Sequence, residues 1–307
     1  ARFTPVPFPR RRDLLLPLDA ASLDWTDFAR LHRCDMGDLA GYRNSGLGRL
    51  MDALRRLEYE QAWIKAGSLC LQQVISELEA SSEDRQATRV LLERLLADKQ
   101  RQLSAVLWNA VFGHPALQRW HTGGSQAPDQ AVPTNANSAA ANHLLTLRDQ
   151  AAALSQLEAQ PQRIEQALIA LAQSRRVGEA QQQWAAARAL LGQATRLLQD
   201  HGANVCRNGR PTPAARRLKN VFRQFYVAIE QPRLAATVTR DAPWVQAFAA
   251  LPEVIGSQVP PALQQWLAVV LDPHSEQSHW RQTKAAFVAH SRAWQTLAEQ
   301  CRLSLFD

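Results

Sequence analysis

Apolar residues recur three and four apart along most of the chain, the spacing that gathers them on one side of an α-helix. Trp25, Phe28 and Leu31 form the first such stripe. Ser22 is placed to cap it, and Asp24 and Asp27 sit where a helix N-terminus favours carboxylates. A short segment from Met36 to Tyr42 follows, then Arg43-Asn44-Ser45-Gly46-Leu47-Gly48, which is turn chemistry. A helix is predicted from about Leu47, with Leu50, Leu54, Leu57 and Trp63 on its buried side. Gly67 is a candidate break before a further helix through Cys70 and Val74. Ser82 caps the next predicted helix, in which Val90, Leu91, Leu95, Leu103 and Leu107 carry the pattern to Phe112.

Residues 122–142 are polar, rich in Gly, Pro, Asn and Ala, and read as an exposed loop or linker. From Leu144 to Asp200 the chain is rich in Ala, Gln and Leu and predicts long antiparallel helices, with Pro161 at the start of one. Beyond residue 203, Pro243, Pro252, Pro260, Pro261 and Pro273 are expected to divide the chain into short helices. No stretch alternates with period two, so little or no sheet is expected. The fold class that follows is all-α: an irregular multi-helix array with long antiparallel helices in the middle. Residues 1–21, rich in Pro and Arg, read as an extended tether that Leu14, Leu15, Leu16 and Leu18 could anchor, and residues 22–307 as one helical domain.

Composition narrows this picture. Hydrophobic residues make up 46% and charged residues 21%, which suits a globular chain rather than a disordered one. No apolar run reaches the ~18 residues of a bilayer span. The net charge of +7 is concentrated at Arg10, Arg11 and Arg12 and between His201 and Ile229, where Arg207, Arg210, Arg216, Arg217, Lys219 and Arg223 occur without an acid. At about 100° per residue, a helix from Ala214 to Ile229 puts Leu218, Val221, Phe222, Phe225, Tyr226 and Ile229 on one side and Arg216, Arg217, Lys219 and Arg223 on the other. Such a helix can offer a cationic strip to anionic lipid or glycan. A core helix with a solvated basic face is the plainer reading.

The four cysteines, Cys34, Cys70, Cys206 and Cys301, include no CxxC pair and allow three pairings. Cys34–Cys70 and Cys206–Cys301 are favoured because each stays within one half of the chain; four buried thiols are the alternative.

Little points to catalysis. There is no GxSxG around Ser45 or elsewhere, no HExxH and no EF-hand loop. His114 and His121 are seven apart with no acidic ligand at i+3 or i+4, and His274 and His279 are similarly loose, so neither a metal nor a cofactor is expected. Glu60, beside Tyr59, is the one candidate acid/base; its structural alternative is an ion pair with Arg55 or Arg56. The nine tryptophans suit a core or a sugar-stacking groove.

Several short motifs in order carry a resemblance: Pro9-Arg10-Arg11-Arg12, Arg33-Cys34, Arg43-Asn44-Ser45, Leu47-Gly48, Tyr59-Glu60, Cys70, Cys206, Pro211-Thr212, Phe222, Phe225-Tyr226 and Gln231-Pro232. Together they resemble the proteobacterial family known as domain of unknown function 3080, over nearly the whole chain. The resemblance implies a lipoprotein whose lipid-bearing cysteine precedes the present Ala1, an oxidising periplasmic setting, and no known activity. The expected function is therefore non-enzymatic binding or scaffolding in the cell envelope, tethered to a membrane, with anionic lipid, peptidoglycan or another envelope protein as partner. An envelope enzyme acting on peptidoglycan or lipid through Glu60 is the alternative. No nucleic-acid motif accompanies the basic segment, so nucleic acid is not an expected partner.

Overall fold

The computed structural model describes residues 3–19, 23–32, 36–76, 83–122, 136–174, 177–207, 209–256 and 258–304. The chain runs through α1 (Arg11–Leu14), α2 (Trp25–His32), α3 (Gly37–Asn44), α4 (Gly46–Arg49), α5 (Ala53–Ser76), α6 (Glu83–Phe112) and α7 (Pro115–His121). It continues through α8 (Ala136–Ala153), α9 (Pro161–Gln173), α10 (Val177–His201) and α11 (Pro213–Val221). A π-helix, Phe222–Glu230, leads directly into α12 (Gln231–Ile255), and α13 (Pro261–Val270) and α14 (His279–Cys301) complete the array. Among the described residues the sheet content is one antiparallel pair of two-residue strands, β1 (Cys206–Arg207) and β2 (Arg210–Pro211). The protein is all-α.

Helices α5 and α6 pair antiparallel, with Glu60 facing Lys99 and Gly67 facing Leu96. Gly67 does not break α5. A Cβ there would meet Leu96 and Trp63 at 3.1 Å, so the missing side chain is what lets the two helices approach. The end of α6 is buried all round from Val106 to Phe112, as expected of a helix that is apolar on every side. Helix α10 finds its principal neighbour outside the Ala/Gln-rich segment: it packs along α14. The two run in the same direction, since Arg188 Nη1 donates to the His279 carbonyl and Thr195 meets His290.

Four local expectations change. The 122–142 stretch is already helical by Ala136, with Ala140 and Ala141 buried, while 123–135 lies outside the described residues. Leu50 falls between α4 and α5 and is 84% exposed. Pro243 and Pro252 lie within α12 rather than ending it. An internal proline costs about 3 kcal/mol. Burial of Trp244, Val245, Phe248, Leu251 and Ile255 along the same helix offsets that cost. Finally, the single helix expected from Ala214 to Ile229 changes register at Phe222, and the Gln231 N–H donates to the Tyr226 carbonyl, five residues back. Pro232 follows immediately; it has no N–H to return, and in an α register its ring would crowd the carbonyl four residues back, a conflict that a wider register eases. The Ser22 and Ser82 caps lie outside the described residues.

The N-terminal segment is extended and packed against the body. Phe8 is buried and stacked on His121 with ring centroids 3.6 Å apart, and it meets Trp266 edge-on at 5.0 Å. Side chains read its backbone as they would a bound peptide. Gln181 Oε1 accepts from the Val6 N–H (2.9 Å) and its Nε2 donates to the Val6 carbonyl (3.3 Å). Gln118 donates to the Pro9 carbonyl and Trp108 Nε1 to that of Leu14. Asn109 accepts from the Leu16 N–H at 2.8 Å and donates to its carbonyl at 2.9 Å. Leu14 is fully buried and Leu16 and Leu18 pack on the same core, whereas Leu15 is exposed.

Two cores result. The main one joins the N-terminal segment to α2, α3, α5–α10 and α12–α14, with Trp108, Trp120, Trp184, Phe112 and Phe248 fully buried. A satellite core gathers Phe222, Trp294, Leu297 and Cys301, with Leu198, Leu218 and Tyr226 against it. A disulfide between Cys206 and Cys301, Cα atoms 5.4 Å apart, closes the satellite. Cys70, buried in α5, is also disulfide-bonded; its expected partner, Cys34, lies outside the described residues.

Candidate functional site

Glu60 is 3% exposed. One carboxylate oxygen pairs with Arg56, one turn earlier on α5, and the other accepts from Lys99 Nζ of α6 at 2.6 Å. Lys99 also lies over the rings of Tyr59 (5.2 Å) and Trp63 (4.8 Å), a cation–π arrangement. Burial lowers the Lys99 pKa, and the Glu60 charge opposes that shift. Burial, reinforced by Glu60, pushes the Tyr59 phenol up to about 12. The carboxylate thus has a cation on each oxygen. The Arg56 pairing follows from helical spacing, while Lys99, 39 residues away, is visible only in three dimensions.

The histidine pairs are not brought together as ligands. His121 donates through Nδ1 to the Leu117 carbonyl, and its buried Nε2 has no partner among the described residues. His114 caps α7: its Nδ1 accepts from the Ala116 N–H at 3.2 Å. His274 is exposed, and His279 receives Phe3 edge-on at 5.4 Å. No group of three potential metal ligands occurs among the described residues.

The basic clusters both lie at the surface. Arg10, Arg11 and Arg12 are exposed around α1. On the satellite, Arg216, Arg217 and Arg223 are exposed and Lys219 is half-buried. The apolar side expected of this helix divides in two. Phe222 is buried against Trp294 (4.4 Å between rings), and Leu218 and Tyr226 pack around them. Val221, Phe225 and Ile229, four residues apart, remain 50%, 57% and 53% exposed. The element therefore presents a row of large apolar side chains beside arginines, on a base stapled by Cys206–Cys301.

The position of this helix follows from its neighbours. Thr212 caps α11 by accepting from the Ala215 N–H, and its hydroxyl donates to the Val205 carbonyl. On α14, Trp294 Nε1 donates to His290 Nε2 at 3.0 Å, which leaves the imidazole proton on Nδ1, facing Thr195. Burial lowers the His290 pKa, so the ring stays neutral and keeps that arrangement.

A pocket of about 520 Å³ opens elsewhere, where α1, the starts of α5 and α9 and the α6–α7 turn meet. Of its charged or titratable residues, the sequence singled out Arg11, Arg55 and His114 for other reasons and not Asp52, Glu58 or Glu165, because no local pattern joins them. No helix among the described residues is long and apolar enough to cross a membrane.

Among known proteins, the profile of a family described as "Protein of unknown function (DUF3080)" matches residues 3–305. No curated protein and no solved structure matches the chain.

Proposed function

The chain belongs to the DUF3080 family, whose function is unknown, and from that premise we propose that it is a non-enzymatic cell-envelope protein that docks on anionic lipid through the satellite helix, Pro213–Glu230. One observation carries the reading: Val221, Phe225 and Ile229 are each at least half exposed beside the exposed Arg216, Arg217 and Arg223. Apolar side chains can enter the acyl boundary while guanidiniums meet phosphates, the physics of an interfacial helix. The Cys206–Cys301 disulfide supports an oxidising compartment, and hence a periplasmic setting. A lipid tether upstream of Phe3 fits this arrangement. Phe3 packs at the first residue of α14 and the satellite surrounds Trp294, about 22 Å further along at 1.5 Å per residue. With α14 lying along the surface, both ends would reach it, and Arg10–Arg12 would add further attraction.

The enzymatic alternative draws less support, because both oxygens of Glu60 are engaged by cations and the pocket above is lined by other residues.

Co-sedimentation with phosphatidylglycerol–phosphatidylcholine vesicles tests the proposal. Binding is expected at low salt and should fall as salt rises. Replacing Arg216, Arg217 and Arg223 with Gln should weaken it by roughly two orders of magnitude, at about 1 kcal/mol per cation. Phe225→Ser should weaken it without changing the salt dependence. Absence of binding at low salt, or unchanged binding by the triple variant, would overturn it.

A further inference from the structure

The pocket of about 520 Å³ is of ligand-binding size, and its charged lining comes from four separate stretches of chain. Arg11 belongs to α1, Asp52, Arg55 and Glu58 to the start of α5, His114 to the α6–α7 turn and Glu165 to α9. Part of this set is used internally. Asp52 caps α5, accepting from the N–H groups of Leu54 and Arg55 at 2.9 Å each. Arg55 and Glu58 pair at 3.5 Å. What remains is one guanidinium and one carboxylate: neither Arg11 nor Glu165 has a hydrogen-bond or ion-pair partner among the described residues. They are close enough to the His114 ring to act on it electrostatically, in opposite directions.

His114 adds a neutral donor. Its Nδ1 accepts from the Ala116 N–H, so the neutral ring carries its proton on Nε2. Burial lowers its pKa, with Glu165 opposing, so the ring is neutral at pH 7 and its cap is kept. The pocket therefore holds an uncommitted positive group, an uncommitted negative group and an N–H donor.

We infer that this pocket is a binding site for a small zwitterion carrying a carboxylate and an ammonium group, of the size of a short peptide. Arg11 takes the carboxylate, His114 Nε2–H assists, and Glu165 takes the ammonium. The pairing is charge-assisted at both ends, and a ligand with only one charge would leave one wall unmatched. The satellite helix contributes nothing to this pocket, so the inference does not rest on docking of that helix; Arg11 is the residue that the two readings share.

Titration calorimetry on the full chain with alanylalanine, its N-acetyl form and its C-terminal amide tests it. The free dipeptide should bind at millimolar or lower concentration, and either blocked form should bind at least about tenfold more weakly. Arg11→Gln and Glu165→Gln should each weaken the free dipeptide about tenfold. Arg11→Gln should leave the residual affinity of the amide unchanged, since that ligand has no carboxylate to lose. Both side chains are exposed, so thermal melting should confirm intact folding of each variant. Equal binding of the three ligands, no binding of the free dipeptide, or insensitivity to both substitutions would overturn the assignment.

Discussion

At the scale of single residues, the feature with a measurable consequence is the buried imidazole of His121. It lies among Phe8, Trp120, Phe248 and Trp266, and its Nε2 has no hydrogen-bond partner among the described residues. Burial drives its pKa down to about 3. In the folded state the ring therefore stays neutral over a range in which the unfolded chain, near 6.5, takes up a proton. Its contribution is complete above the unfolded value and declines as pH falls from about 6.5 towards 3, at up to about 1.4 kcal/mol per pH unit. His114, His143, His279 and His290 are lowered by burial as well and add in the same direction. Urea unfolding between pH 7.5 and 4 should show this decline, and His121→Phe should make it shallower. An identical slope in the variant would assign the acid sensitivity to other groups. Glu60 teaches a related lesson. A glutamate next to a tyrosine looked available for acid/base work in the sequence, but Lys99, from another helix, changes what its carboxylate can do.

At the scale of elements, the N-terminal segment behaves as an internal ligand. It contributes little regular structure, yet Gln181, Gln118, Trp108 and Asn109 satisfy its backbone, and Phe8 and Leu14 fill the core. Seating the segment buries these groups, and without the bonds each would cost about 1–3 kcal/mol as an unsatisfied buried donor or acceptor. Phe8→Ala should therefore lower stability by about 3–4 kcal/mol, as for other buried aromatic truncations. Hydrogen exchange should show the amides of Val6 and Leu16 losing protection together, because both depend on the segment staying seated. Loss of stability without faster exchange at those amides would mean that the segment does not act as one unit. Proline-bearing helices carry a second lesson. Pro243 and Pro252 looked like boundaries, but a helix that buries Trp244 and Phe248 tolerates them.

At the scale of the whole molecule, the satellite core is small and is joined to the rest through α10, α12 and α14. The Cys206–Cys301 bridge spans 95 residues, and closing a loop of that length removes denatured-state entropy worth about 4–5 kcal/mol. The Cys206→Ser/Cys301→Ser double variant should melt its satellite first. Limited proteolysis should then cut near the β1–β2 turn while the main core resists. Simultaneous loss of both cores would show that they fold as one unit.

Much of the helical content could be read from the chain, because helical periodicity is local: stripes such as Leu91, Leu95 and Leu103 need only their own neighbours. Cysteine economy pointed to Cys206–Cys301 for a similar reason, since it keeps the pair in one half of the chain. Arginine placement along Pro213–Glu230 was equally visible, but which apolar residues stay exposed was not, because that depends on where Trp294 of α14 arrives. Tertiary structure alone decided that α10 runs parallel to α14, that Lys99 meets Glu60, and that Arg11 and Glu165 share a pocket. These are contacts between residues far apart in sequence. Their energies come from burial and pairing that exist only once the chain has closed on itself, and no local pattern encodes them.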